Sequence, residues 1–467
     1  MTKLSLATAL ILGTAVFANA ADDLASAFKE GKLDGRLRAQ YFATDWDNDA
    51  KYSATGFAVG GSLIYKTAPL YGFSVGAGMY TTQNPGGWTD AEDGTNAATA
   101  KDLFCRDQDN GTATCKYGDG YAVLAQAYLQ YDIAKSKVKA GRFLMTNPWI
   151  TPNDTKMIPI AVEGADFVSN DLLNTTVQID YADAIKERGS SYFSNMTDTG
   201  DTPVNIRKYY DTHYYTTLSG DARGDAPDVT ILGVKNKSID NLELQAWAMR
   251  WPDLVNELIL EANYAVEAGD VILGFGGRYL KQYDKGAGTI IGTTAYGDSD
   301  NSIDSHLWAL RTTADYRAAK LLLALSQTSA DADIIAPWRG FPTQGYTRSM
   351  TQTDWNANTK SYKAELDYDW NALLPGVTTM ISYAFYNRDP SKTPYQSMTN
   401  RLYGNGDTRQ WNLDMIYKLS GSWKGTELKA RLMDQNNELD ATNATQTLAS
   451  ITDTSNREMR LEANYRF

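Results

Sequence analysis

Basic side chains standing two residues apart, in antiphase with apolar neighbours, are the feature of this sequence best suited to chemistry. Arg36 and Arg38 form one such pair and Lys429 and Arg431 another, while Arg278, Arg311, Lys363, Arg388 and Arg460 each alternate with apolar residues in the same way. On one face of a strand such cations form a row, and a row beside water could hand an anionic solute along, each site weak enough to release it. Each cation has a plainer role open to it, an internal ion pair with an acid on the same face such as Glu365, Glu427 or Glu462.

Catalytic chemistry has little to work with. The two histidines, His213 and His306, have no GxSxG or other nucleophile framing near them, so a hydrolase has no assembled site. Cys105 and Cys115 lie ten apart in a polar stretch rich in Asp, Asn, Gly and Thr, without a CxxC spacing or a nearby histidine. In an exported chain that pattern suits a disulfide clamping a loop, and it is a poor metal site. Gly274, Gly276 and Gly277 sit inside a strand pattern with no helix after them, which is no phosphate-binding loop. No cofactor or metal is expected. With 44 Lys+Arg against 56 Asp+Glu, a formal net charge of -12, the chain lacks the basic face that a nucleic-acid partner demands.

The elements that would hold these cations are strands. In Tyr121 to Asp132 the odd positions Tyr121, Val123, Ala125, Ala127, Leu129 and Tyr131 are apolar with an aromatic at each end. Tyr362, Ala364, Leu366, Tyr368 and Trp370 repeat the design against Lys363, Glu365, Asp367 and Asp369. Apolar faces ended by aromatics fit a lipid-facing band between two interfacial belts, and 29 Tyr and 11 Trp supply those belts. The mean hydropathy of -0.42 is no objection, because lumen-facing residues dilute lipid-facing ones. Hydrocarbon offers no partner to a backbone edge, so the fold class expected is all-β, a closed antiparallel transmembrane barrel.

Seventeen strands can be read directly, and an even count then requires an eighteenth, expected within 192–218. Connections such as 67–70, 132–136, 251–256, 317–319 and 420–426 are tight and assigned to the periplasmic side, whereas 82–120, 282–304 and 329–359 are long and assigned outside. Residues 1–20 read as a signal peptide, from Lys3, the apolar run Leu4 to Phe17 and Ala18-Asn19-Ala20, leaving 21–467 as the barrel domain with a short opening segment, 21–34. The run is shorter than the roughly 20 residues of a spanning helix.

Residues 147–170, with Pro148, Pro152 and Pro159, are too proline-rich for a regular strand. Such a segment could fold into the lumen as a constriction loop, setting Asp154, Lys156, Glu163 and Asp166 against the arginine wall. An ordinary external loop is the alternative. Arg142 falls on the lipid-facing phase, so a bulge at Gly141 is expected to turn it inward.

The opening Leu24-Ala25-Ser26-Ala27-Phe28 to Gly31-Lys32-Leu33-Asp34-Gly35-Arg36-Leu37-Arg38, then Gly141-Arg142, Asn147-Pro148, Pro152-Asn153-Asp154-Thr155-Lys156-Met157-Ile158-Pro159 and Glu163-Gly164, resemble motifs of the OprD-type porin family. Trp338, Gly340-Phe341-Pro342, Ser349-Met350-Thr351 and Lys360-Ser361-Tyr362-Lys363 continue the series, and the resemblance covers essentially all of 21–467. It implies an eighteen-stranded, monomeric outer-membrane barrel admitting small solutes, often carboxylates, past an arginine-lined wall. Lys156 stands where the family more often has Arg, which keeps the charge but loses the bidentate fork.

Met459, Leu461, Ala463, Tyr465 and Phe467 alternate outward to the last residue, and this terminal aromatic resembles the signal by which the barrel-assembly machinery recognises its clients. No plug segment precedes the first strand, so transport is expected to be passive. The expected partners are small polar or anionic solutes and outer-membrane lipid. An adhesin or purely structural barrel is the rival reading. The patterning predicts that purified 21–467 needs detergent and gives β-type circular dichroism; a water-soluble or mainly helical chain would refute it.

Overall fold

A strand with lipid on one face and water on the other has no place for an unpaired edge in the membrane, and the chain meets that demand by closing on itself. A computed structural model describes residues 21–47, 54–86, 102–105, 115–116, 118–196, 228–288, 302–335, 338, 345–350, 355–392, 406–438 and 455–467. The leader expected at 1–20 lies outside these residues, as does His213.

A helix, α1 (Leu24–Lys29), comes first, N-capped by Asp23, whose carboxylate accepts the Ser26 N–H at 2.7 Å. The strands that follow are β1 (Lys32–Trp46), β2 (Ala54–Lys66), β3 (Phe73–Gln83), β4 (Tyr121–Ile133), β5 (Ser136–Phe143) and β6 (Ala161–Ser169). Then come β7 (Thr175–Lys186), the two-residue β8 (Ser194–Asn195), β9 (Val229–Ile239), β10 (Leu242–Trp251), β11 (Val255–Ala268), β12 (Val271–Asp284) and β13 (Ser305–Tyr316). The last are β14 (Ala319–Thr328), β15 (Lys360–Asp369), β16 (Val377–Asn387), β17 (Thr408–Lys418), β18 (Thr426–Asn437) and β19 (Asn456–Arg466).

All neighbours are antiparallel, and β7 pairs directly with β9, so β8 is an extra piece at the end of β7 and eighteen strands form the ring. The seam is β1 against β19, from Arg36 opposite Arg466 to Trp46 opposite Asn456. Beyond it Phe467 and Gly35 exchange backbone hydrogen bonds of 3.1 and 2.9 Å. Along each strand exposed apolar residues such as Leu37, Leu129, Leu323, Leu413 and Leu461 alternate with inward polar ones.

The eighteenth ring strand is β6, inside the stretch expected to be a constriction loop; it does not lie in 192–218. All three prolines fall before residue 160, and the residues after Pro159 are free to pair, so the loop proper is 144–160. Glu163 and Asp166 therefore sit on β6. The tight connection 252–254 lies at the same end as the long loops, because seven ring strands, an odd number, separate β10 from β1 and so the two run in the same direction.

The expected bulge at Gly141 is absent: β5 pairs with both neighbours without a shift there. The shift sits instead on β4, between Gly78 and Met79 of its partner β3, where Ala125 is skipped. One inserted residue exchanges the faces beyond it. Tyr121 and Val123, expected to face lipid, are buried within the barrel, and Leu124 faces outward.

Gly61 has φ +148°, and a Cβ there would stand 1.8 Å from the Arg36 carbonyl oxygen of β1. Gly61→Val should therefore cost more than about 2 kcal/mol of folded-state stability. An unheated denaturing gel should show a smaller fraction of the compact, fast-migrating form than for the parent protein, and an unchanged fraction would contradict the assignment.

Candidate functional site

Loop 144–160 turns into the barrel at Asn147, whose Oδ1 accepts the backbone N–H groups of Trp149 and Ile150 at 2.9 and 2.8 Å. Its Nδ2 donates to Asp180 of β7 at 2.9 Å. Two residues on, Trp149 Nε1 donates to Glu257 of β11 at 2.6 Å, both side chains being buried. At the loop's other end Asp154 accepts from Arg38 Nη1 at 2.9 Å and from both terminal nitrogens of Arg36, on β1. Gln40 Nε2 donates to the Thr155 carbonyl at 3.0 Å and Arg38 to that of Lys156.

β11 and β1 are nine strands apart in either direction round the ring. A loop anchored to both therefore crosses the lumen along a diameter. Arg188, beyond β7, braces it by donating to Thr155 Oγ1 at 2.6 Å while held by buried Asp102 at 2.8 Å.

On either side of this crossing the interior differs. Two apolar clusters fill space inside β1 to β14: one gathers Phe42, Tyr80, Phe104, Tyr121, Met157 and Ile158, the other Trp149, Trp247, Trp251, Ile259, Leu280 and Trp338. Neither contains a residue of β15 to β19. The inner wall there carries Ser361, Ser382, Gln410, Asn412, Gln435, Glu458 and Asn464, continued on β1 by Arg36, Arg38 and Gln40.

The basic residues read from sequence fall into three groups. Arg36, Arg38, Arg278, Lys363, Arg431 and Arg460 face inward and are ion-paired: Arg278 with Glu261, Lys363 with Glu365 at 2.6 Å, Arg431 with Asp414 at 2.5 Å, and Arg460 with Glu458. Arg38 also lies 3.9 Å from Glu462. Arg311 and Lys429 face inward with no carboxylate in salt-bridge contact among the described residues; Arg311 Nη2 donates to Asn263 at 2.6 Å, and its guanidinium lies 4.3 Å from the Tyr346 ring centroid. Arg388, just past the end of β16, is buried on the inner side.

Arg142 is the exception. It lies on the outer face with Glu163, 3.0 Å away, and its guanidinium rests 4.5 Å from the Phe193 ring centroid. An outward arginine is tolerated because it has a carboxylate partner, an aromatic cover and a place at the strand end rather than at mid-membrane, where the cost is roughly 2 to 4 kcal/mol.

Lys156, expected to oppose the arginine wall, is instead buried with its ammonium 3.7 Å from the Phe42 ring centroid. Asp166 faces inward from β6, opposite Lys139 of β5 and Asp180 of β7. Asp154 alone of the four expected loop residues meets inward-facing arginines, since Glu163 pairs with Arg142 on the outer face. Cys105 and Cys115 are disulfide-bonded.

Trp149, Glu257, Arg188 and Tyr346 were not legible as site residues. Tyr346, in the segment 345–350, lies between Arg278 and Arg311, 5.0 and 4.3 Å from its ring centroid. Burial, with Glu261 nearby, holds its phenol well above the ordinary range, so it stays a neutral hydroxyl. Downstream of it, Thr347 O accepts from Tyr386 at 2.9 Å and Ser349 Oγ from Asn412 at 2.5 Å, so this segment also follows the inner wall. Its only sequence signal was the Ser349-Met350-Thr351 motif.

Known proteins fit this architecture. No curated protein sequence matches the chain. The chain is similar in structure to OpdK of Pseudomonas aeruginosa with vanillate (TM-score 0.69, 16% identity, 94% of this chain and 99% of that one). OccAB3 of Acinetobacter baumannii is similar at a TM-score of 0.70, 19% identity and the same coverage, and a BenF-like porin from Pseudomonas fluorescens Pf-5 at 0.69 and 15%, again with 94% and 99% covered. The family profile described as outer membrane porin, OprD family, matches residues 27–467. A match over nearly the whole ring, on a barrel of eighteen strands crossed by loop 144–160, means that the chain belongs to the OprD family of outer membrane porins.

Proposed function

We propose that this porin admits small anionic solutes, carboxylates above all, by passive diffusion between loop 144–160 and the polar wall of β15 to β19 and β1. The observation that carries the reading is the tether of Asp154 to Arg36 and Arg38. Two guanidiniums there share one loop carboxylate, and an entering carboxylate can take up the same fork geometry as it passes. Lys429 and Arg311, without carboxylate contacts, add positive potential, and low-dielectric walls focus it. Most other lumen cations are paired, which keeps each site shallow enough to release its guest.

Vanillate, present with the neighbouring OpdK, is an aromatic carboxylate and is consistent with this class of solute. The reading also has the chain exported behind a leader, working as a monomer, with long loops outside and Phe467 offered to the assembly machinery. Catalysis has no part in it: His306 points outward beside Tyr279, their rings 6.0 Å apart, away from the water-filled side.

In a planar bilayer under a salt gradient, reversal potentials should show preference for anions. Replacing Arg36 and Arg38 together by Gln should lower the anion-to-cation permeability ratio by roughly threefold. Cation preference in the parent protein would overturn the proposal, and a pore with no conductance would favour the adhesin or structural alternative.

Trp149→Phe removes the donor to buried Glu257 and frees the loop from the β11 wall. Single-channel conductance should rise and become noisier, whereas an unchanged trace would mean that the loop does not set the narrow point.

A further inference from the structure

Among the described residues, charged side chains on the outer face are confined to the strand ends, and near the long loops they divide into two kinds. Arg142, Arg409 and Arg457 each have a carboxylate partner, Glu163, Glu438 and Asp434 respectively. On the arc from β10 to β15 the outward cations Arg250, Lys281 and Lys360 have no ion pair among the described residues. The parity of each strand fixes their direction, since Arg250 alternates with buried Met249 and Trp251, Lys281 with buried Leu280 and Gln282, and Lys360 precedes buried Ser361. His306 stands directly opposite Lys281 on the neighbouring strand and adds a donor to the same row.

An aromatic belt fixes their height. Lys281 lies 5.7 Å from the Tyr283 ring centroid, and exposed Tyr279, Trp308 and Tyr362 stand on the same strands. Tyr and Trp on a lipid-facing surface mark the level of the headgroups. The arc spans five inter-strand steps, roughly 24 Å at about 4.8 Å each, which is the footprint of one or two lipid headgroups.

We propose that this arc is a docking surface for phosphate-bearing lipid in the leaflet on the long-loop side, with Arg250, Lys281 and Lys360 as the phosphate contacts. Charge complementarity argues for that occupant. Exposed cations without partners, held at headgroup height beside interfacial aromatics, attract anionic headgroups, whereas the paired cations elsewhere on the rim are already neutralised. A second protein copy would have to bring its own row of acids. The outward acids of this chain near the long loops are engaged with Arg142, Arg409 and Arg457 in three of the cases described.

The test uses the detergent-solubilised full barrel and native mass spectrometry, with bisphosphorylated lipid A and its dephosphorylated form as probes. The parent protein should retain the bisphosphorylated lipid at least about tenfold better than the dephosphorylated one, and the triple variant Arg250→Gln, Lys281→Gln, Lys360→Gln should lose that preference. A control, Arg409→Gln with Arg457→Gln, should keep it. Equal retention of the two lipids by the parent protein overturns the proposal whether or not the variants fold. The same loss in the control also overturns it, by showing a general effect of charge. Conductance of the triple variant should match the parent, so failure of the lipid site and failure of the solute pathway are read separately.

Discussion

Hydrocarbon leaves backbone N–H and C=O groups without partners, and nearly everything else in this molecule follows from satisfying them. The chain closes β1 onto β19 in a continuous register of eleven pairs, with Phe467 bonded back to Gly35. Closure of antiparallel strands makes the ring even, so β1 begins and β19 ends at the short-turn end. It also fixes a face for every side chain, because register and phase are a single choice in a pleated sheet. Gly61 and the β4 bulge are local adjustments to that requirement.

An eighteen-strand ring encloses more space than its own inward side chains can fill, so its loops must do the rest. Loop 144–160 does this by bridging opposite walls, a buried tryptophan donating to a buried carboxyl on β11 and an aspartate gripped by two arginines on β1. Apolar packing then fills the interior beside β1 to β14, while the inner wall of β15 to β19 stays polar. On the proposed reading, selectivity then depends on a contact between a wall and a loop far from it in sequence, 118 residues for Arg36 and Asp154.

The barrel, most of its strands and the inward phase of most of its cations were legible because period-two alternation is local, and each strand declares its own faces. What failed was whatever depended on a neighbour. The bulge at Ala125 leaves no mark in the sequence, since Tyr121 and Val123 look as apolar as true lipid-facing residues; only the pairing with β3 reveals the exchange. β6 was hidden because its residues follow three prolines and alternate weakly. Trp149 and Glu257 could not be matched from sequence, being 108 residues apart with no pattern linking them.

Arg142 shows why face and partner have to be weighed together. On phase alone it belongs to lipid, and on charge alone it belongs to water; the expected bulge was a way to satisfy both. The protein instead keeps the phase and supplies Glu163 and Phe193 at the strand end, where headgroups and loops begin. The same weighing separates the lumen from the outer rim. Inside, low-dielectric walls make an unpaired charge costly, and most cations are matched to an acid within contact distance. At headgroup height the surroundings carry their own charges, so Arg250, Lys281 and Lys360 can stand without a protein partner. Where a cation is left unpaired in a barrel is thus set by what lies outside the protein at that depth.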